Sequence, residues 1–227
     1  RVIVRIIDWN NGTKKPIGEV VEILSGKTSA DFDMKMILIS NGFSIDFPKA
    51  VYDELDKVSE QIPAEEIKRR LDYRKVLTFT IDPEDAKDFD DAISFQKLAN
   101  GKYEVGVHIA DVAHYIKENS ALDKEAEKRA TSVYLPDRVC PMLPEKLSNV
   151  LCSLRPNEDK LTFAAIFEMD EKFNVQDFTI AKTIIHSRRR FTYEEAQQRI
   201  ESGSGDYAHE LQVLNRIATH IRSKRMK

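Results

Sequence analysis

Six carboxylates crowd into thirteen residues. The stretch from Thr80 to Ala92 reads TIDPEDAKDFDDA and carries Asp82, Glu84, Asp85, Asp88, Asp90 and Asp91, with Lys87 the one base among them. Like charges at this spacing repel strongly unless water or cations stand between them. A hard divalent cation is the fitting counter-ion, because it prefers oxygen donors. In extended backbone Asp88 and Asp90 project to one side and Asp91 to the other. Asp82 lies upstream across the break that Pro83 imposes. A folded loop can bring Asp82 and Asp91 to one cation while Asp88 and Asp90 reach an adjacent water or a second cation. The chemistry this suits is displacement at phosphorus, in which metal neutralises phosphate oxygens, activates water and stabilises the leaving oxygen. Carboxylates alone would repel a phosphodiester, so this chemistry requires metal.

Two plainer fates stay open on spacing alone. A solvated acidic turn is the common one, and a structural calcium loop is the other. The EF-hand template fails, lacking glycine at its sixth position and a glutamate in frame at its twelfth.

The loop is flanked by runs that hold it. Residues 75–81 are expected to form a strand with Leu77, Phe79 and Ile81 on one face, ended by Pro83. Residues 92–98 read as the next strand, Asn100-Gly101 as a tight turn, and Tyr103, Val105, Val107 and Ile109 as one face of the partner strand, with Gly106 and His108 on the other. Further out, residues 2–7 and 18–24 are β-like, separated by Asn10-Asn11-Gly12 and closed by Ser25-Gly26. A helix is expected from Ser29 or Asp31 through Ile39, stopped by Asn41-Gly42, and two short helices over 47–58 and 63–71. Ser120–Ser132 reads as a helix with a Ser120/Asp123 capping box. The proline-dense segment 133–156 reads as an ordered, buried loop with a short helix near 145–152. Residues 161–169 and 175–186 read as a second hairpin. Thr192–Ile200 reads as a helix with a Thr192/Glu195 capping box, and Leu211, Leu214, Ile217, Ala218 and Ile221 line a last helix. Phe79, Phe163 and Phe167 are expected in the core. The fold class is α+β: a mixed sheet with flanking helices, preceded by the last strands of a small β-barrel.

With 227 residues, 41% of them apolar and 32% charged, the chain can bury a sizeable core. No apolar run is long enough for a membrane span, and no signal peptide is expected. Cys140 and Cys152 lack the spacing of a zinc site and are expected as buried thiols in a reducing cytoplasm. The net charge of −3 argues against indiscriminate polyanion binding, but Arg188-Arg189-Arg190 and the basic end of the last helix leave room for local phosphate contacts. Both ends read as cut, so a fragment of a longer protein is expected.

TIDPEDAKDFDDA, then VGVHIADVAHYI, then TSVYLPDRVCPMLPEKLSNVLCSL, together resemble the ribonuclease II/ribonuclease R family. The motifs are long, in order, and span essentially the whole chain. The resemblance implies the end of a cold-shock (OB-type) RNA-binding domain over 1–27, a helical connector over 28–72 and the first part of the catalytic RNB domain over 73–227. It implies a Mg²⁺-dependent, processive 3′-to-5′ exoribonuclease that acts on single-stranded RNA and releases nucleoside 5′-monophosphates. A cytoplasmic monomer with no small-molecule cofactor is expected. The family's four active-site aspartates fall on Asp82, Asp88, Asp90 and Asp91, with Asp82 and Asp91 as metal carriers and Asp90 the carboxylate most needed for hydrolysis. The tyrosine that packs against the 3′-terminal nucleotide falls on Tyr134. His108, Arg188 and Arg190 are further candidates to meet RNA, although a strand histidine and a solvated helix start explain them about as well. The family's downstream arginine, second aromatic clamp and S1-type domain are not matched, so weak or no activity is expected of the chain alone. A non-catalytic RNA-binding module holding a structural ion, and a DNA-directed nuclease, are the competing readings.

Overall fold

The computed structural model describes residues 2–8, 16–23 and 29–226. Contacts divide the chain into two compact units, Arg1–Lys49 with Glu125–Met142, and Ala50–Lys124 with Leu143–Lys227.

In the first unit, β1 (Val2–Asp8) and β2 (Ile17–Ile23) pair antiparallel, and their valines and isoleucines are largely exposed. The expected turns at Asn10-Asn11-Gly12 and Ser25-Gly26 lie outside the described residues. Helix α1 (Ser29–Ser40) ends where expected: Gly42 adopts φ +83° and the Phe43 amide returns to the Leu38 carbonyl at 3.0 Å, a left-handed cap that glycine adopts without strain.

The second unit opens with α2 (Lys49–Leu55), α3 (Ala64–Lys68) and a two-residue strand, β3 (Leu71–Asp72). Then follow β4 (Leu77–Asp82), β5 (Asp91–Lys97) and β6 (Tyr103–Ala110). Helix α4 (Ala121–Arg129) precedes a small hairpin, β7 (Val133–Tyr134) with β8 (Val139–Cys140), which belongs to the first unit. A π-helical turn over Lys146–Leu151 leads to β9 (Asp159–Met169), β10 (Val175–His186), β11 (Arg189–Thr192), α5 (Tyr193–Ser202) and α6 (Ala208–Arg225). Seven strands form one mixed sheet in the order β11-β4-β5-β6-β9-β10-β3, with β11 parallel to β4 and β3 parallel to β10. The expected α+β class is what the chain adopts.

The two faces of this sheet differ. On one, Phe79 and Phe191 pack with Ala196 and Leu211, while Phe95, Val105 and Met169 pack with Val213 and Ile217 of α6. On the other, small and polar side chains are buried: Thr78, Thr80, Ser94, His108, Thr162 and Thr183. His108 Nε2 meets Ser94 Oγ at 2.9 Å and Nδ1 meets Thr183 Oγ1 at 3.0 Å. Gly106 is required here, because a Cβ would stand 2.3 Å from Ser94 Oγ and 2.6 Å from His108 Nε2.

Several expectations need correction. Helix α4 stops at Arg129 because Ala130 turns to φ +61°. In its capping box the Ser120 hydroxyl accepts from the Asp123 amide, but the Asp123 carboxylate takes the Asn119 amide rather than that of Ser120. Phe163 is half exposed, not core, since nothing among the described residues covers its end of the sheet face. Residues 189–192 form a strand rather than a helix start. Both cysteines are buried and free, and burial pushes the Cys152 thiol up to about 12. Among the described residues no helix is long and apolar enough to cross a membrane.

Candidate active site: a clamped carboxylate loop

Two strand ends frame the acidic loop. Asp82 is the last residue of β4 and Asp91 the first of β5. Pro83 cannot extend the ladder, and the chain turns there, with the Ala86 amide donating to the Pro83 carbonyl at 3.1 Å. From Asp88 on, the backbone is tied on both sides. Ser153, fully buried, accepts from the Phe89 amide at 3.0 Å and donates to the Lys87 carbonyl at 3.2 Å, so it brackets Asp88. The Leu154 amide donates to the Phe89 carbonyl at 2.8 Å, and the Ala110 amide of β6 to the Asp90 carbonyl at 2.9 Å. Arg190 reaches from β11 to the carbonyls of Pro83 and Glu84.

The four aspartates sense one another. Burial raises the Asp82 carboxyl, and the charges of Asp91 and Asp88 raise it further, against a lowering by Arg190. Thr80 lies near enough to ease that charge, yet its Oγ1 and Asp82 Oδ2 are both buried without a hydrogen-bond partner. Asp90 is an exposed residue by surface area, but protein packed beneath its carboxyl disfavours the charge, and Asp88, Asp91 and Asp82 add repulsion, so it too is raised. A buried carboxylate oxygen with no partner is uncommon in a folded protein. Together with mutual repulsion it describes a site short of positive charge. The donors, all carboxylate oxygens, fit a hard divalent cation such as Mg²⁺. Among the described residues no three His, Cys, Asp or Glu side chains already converge on a single point as a finished metal cage, so the fit is one of donor chemistry and charge.

The remaining candidates are placed differently. His108 has no exposed surface, lies tilted against the Tyr73 ring with centroids 5.4 Å apart, and is held neutral, its pKa lowered to about 4 by burial. It cannot touch RNA in this conformation; the expectation of an RNA contact is corrected to that of a core hydrogen-bonding group. Arg188 is exposed and, with Arg189, Arg190, Thr192, Glu84, Glu195 and the 156–157 turn, lines a pocket of about 470 Å³ beside the loop. Tyr134 is 70% exposed on β7, in the other unit. Ser153 was missed by sequence reasoning, and Arg190 was expected to meet RNA rather than to hold the loop backbone. Neither residue type signals a hydrogen bond to a loop some 65 or 105 positions away in sequence.

Comparison with known proteins gives consistent matches. The RNB domain profile matches residues 70–227 and the cold shock domain profile residues 1–48. The chain is 47% identical over 191 residues to ribonuclease R 1 of Lactococcus lactis, covering 84% of this chain and 23% of that protein. It is 43% identical over 195 residues to ribonuclease R of Aquifex aeolicus, covering 86% of this chain and 28% of that protein. Among solved structures, RNase R from Mycoplasma genitalium in complex with double-stranded RNA superposes with a TM-score of 0.85 at 28% identity, over 99% of this chain and 40% of that one. The chain thus spans about a quarter of the curated relatives it matches.

Proposed function

Since the chain belongs to the RNB-domain family, we propose that it carries the carboxylate centre of a Mg²⁺-dependent exoribonuclease that digests single-stranded RNA processively from its 3′ end to nucleoside 5′-monophosphates. The observation that carries this reading is the unpartnered buried oxygen of Asp82, whose carboxyl is raised by burial and by the neighbouring charges of Asp91 and Asp88.

In this reading Asp82 and Asp91, fixed at two strand ends, would hold the cation, with Asp88 as a further oxygen donor. Bound there, Mg²⁺ supplies neutralisation of phosphate oxygens and a water more easily deprotonated. Asp90, exposed and with a raised pKa, is suited to orient an attacking water and to take up its proton. Tyr134 presents an open ring on which a terminal base stacks whatever its identity. Arg188, exposed beside the loop, offers a phosphate contact. The RNA held by the Mycoplasma relative supports RNA as the ligand.

The test is digestion of single-stranded RNA, labelled at its 5′ end, by a full-length protein that carries this chain. With Mg²⁺ the RNA should shorten from the 3′ end with release of nucleoside 5′-monophosphates, and EDTA should stop it. A non-catalytic module with a structural ion would bind the same RNA and release nothing.

A further inference from the structure

Arg190 sits in β11, whose parallel register places it opposite Thr80 and Thr192 opposite Asp82. By strand alternation it therefore shares the polar face with Thr80 and Asp82, while Phe191 enters the apolar core on the other side. Its Nη2 donates to the carbonyl oxygens of Pro83 and Glu84, the latter at 2.8 Å, and its guanidinium lies 5.6 Å from the centroid of the Phe89 ring. Those three residues are the beginning and the far side of the carboxylate loop. The second half of the loop is held by Ser153, Leu154 and Ala110. Among the described residues, the first half is tied to the rest of the protein through Arg190. Its charge also lowers the Asp82 carboxyl against burial and repulsion.

We propose that Arg190 is a positioning residue that fixes the first half of the carboxylate loop, and with it the placement of Asp82 relative to Asp88, Asp90 and Asp91, rather than a contact to RNA phosphate. The inference rests on the reading of that loop as a metal site. With Nη2 committed to two loop carbonyls and Nε buried, Arg190 can offer a phosphate the two-pronged edge of its guanidinium only by releasing those carbonyls to water. A strut depends on the planar guanidinium and its reach, which lysine does not reproduce, whereas a phosphate contact depends chiefly on charge, which lysine retains.

Arg190→Lys and Arg190→Ala separate the two roles. Three quantities are measured on the whole chain: amide hydrogen exchange, Mn²⁺ affinity by electron paramagnetic resonance, and the salt dependence of binding to single-stranded RNA. Both variants should accelerate exchange of the loop amides between residues 84 and 90, and weaken Mn²⁺ binding, each by about tenfold, the scale of one charged hydrogen bond. Exchange in β6 and α6 should be unchanged, and so should the salt slope. The proposal is overturned if Arg190→Lys keeps wild-type exchange and Mn²⁺ affinity while Arg190→Ala lowers the salt slope by about one, the signature of a lost phosphate contact. A wild-type chain that binds no Mn²⁺ would refute the metal reading of the loop, and the exchange comparison would still decide whether Arg190 is the strut.

Discussion

The carboxylate loop is tied down along its length by hydrogen bonds to its backbone, whereas the Tyr134 hairpin is held from its base and by one charged side chain in its turn. The loop runs between two strands of the large sheet and takes hydrogen bonds from β6, from β11 and from the 153–154 segment. The hairpin consists of two residues on each side, closed by the Leu135 amide on the Arg138 carbonyl. What anchors it lies beneath. Arg129, buried, pairs with Glu125 at 2.9 Å, donates to the Asp46 carbonyl at 2.9 Å and the Pro141 carbonyl at 3.2 Å, and stacks 3.9 Å from the Phe47 ring centroid. Arg138 joins Asp31 at 2.7 Å. The contrast follows from what each segment does in the proposed reaction. Carboxylates that share a cation and a water must be placed to within fractions of an ångström. A ring on which a base stacks tolerates sliding and tilt, and needs chiefly to be exposed.

The sharpest way to break the contrast is at the loop's chemistry. In a full-length protein that carries this chain, Asp90→Asn should lower nucleotide release by roughly a thousandfold or more with RNA binding nearly intact, because only the charge and proton acceptor are removed. Rates near wild type would remove Asp90 from the reaction. At the hairpin's base, Arg129→Ala should cost about 3–5 kcal/mol of stability, since it strands the buried Glu125 and the Asp46 and Pro141 carbonyls. Chemical denaturation reads this out, and a loss confined to the first unit would show the base to be a separate anchor. Tyr134→Ala should weaken binding of single-stranded RNA by about 1–3 kcal/mol, the worth of one stacked base, while Mn²⁺ affinity stays put. If both fell together, the two segments would not be the independent devices described.

The smallest effect is in stability against pH. Asp82 and Asp90 have folded-state pKa values raised above their ordinary value, so the folded protein holds more protons there than the unfolded chain. Their unfavourable contribution is therefore relieved as pH falls through the raised values toward the ordinary carboxylate range. Asp72 has the opposite sign: Arg74 holds it at about 2, so the stability it gives is present above the ordinary carboxylate pKa and is lost as pH falls toward 2. In EDTA at neutral pH, Asp82→Asn should thus raise the thermal midpoint slightly. The gain should vanish on mild acidification and reverse when Mg²⁺ stabilises the wild-type chain alone. A midpoint that falls in EDTA would mean the Asp82 charge is already satisfied.

Much of this arrangement is legible in the chain. Alternation locates β4, β5, β6, β9 and β10, because each has an apolar face to bury; Leu77, Phe79 and Ile81 do share one side, with Phe79 and its neighbours in the core. The Thr192/Glu195 capping box forms with both arms made, and Gly203 caps α5 in the left-handed region. What alternation hides is the sheet's other face. Ser94, His108, Thr162 and Thr183 read as solvent-facing by type, yet they are buried because they satisfy one another. That is why His108 looked like a group able to meet RNA. The two-residue β3 and the four-residue β11 were missed for a related reason: each exists through pairing with a distant strand, and neither has local periodicity to announce it. In the site itself, the aspartates are announced by their density. Ser153 and Arg190 act through backbone atoms of the loop, and backbone partners leave no trace in residue type.

The account turns on whether the carboxylate loop takes a hard divalent cation at the expense of protons. Isothermal titration of the chain with Mg²⁺ at mildly acidic pH, repeated in buffers of different ionisation enthalpy, counts the protons released on binding. Saturable binding is expected, with net proton release that shrinks toward neutral pH and a smaller release in Asp82→Asn, where Asp90 still contributes. Binding that releases no protons at any pH, or no saturable binding at all, would contradict it.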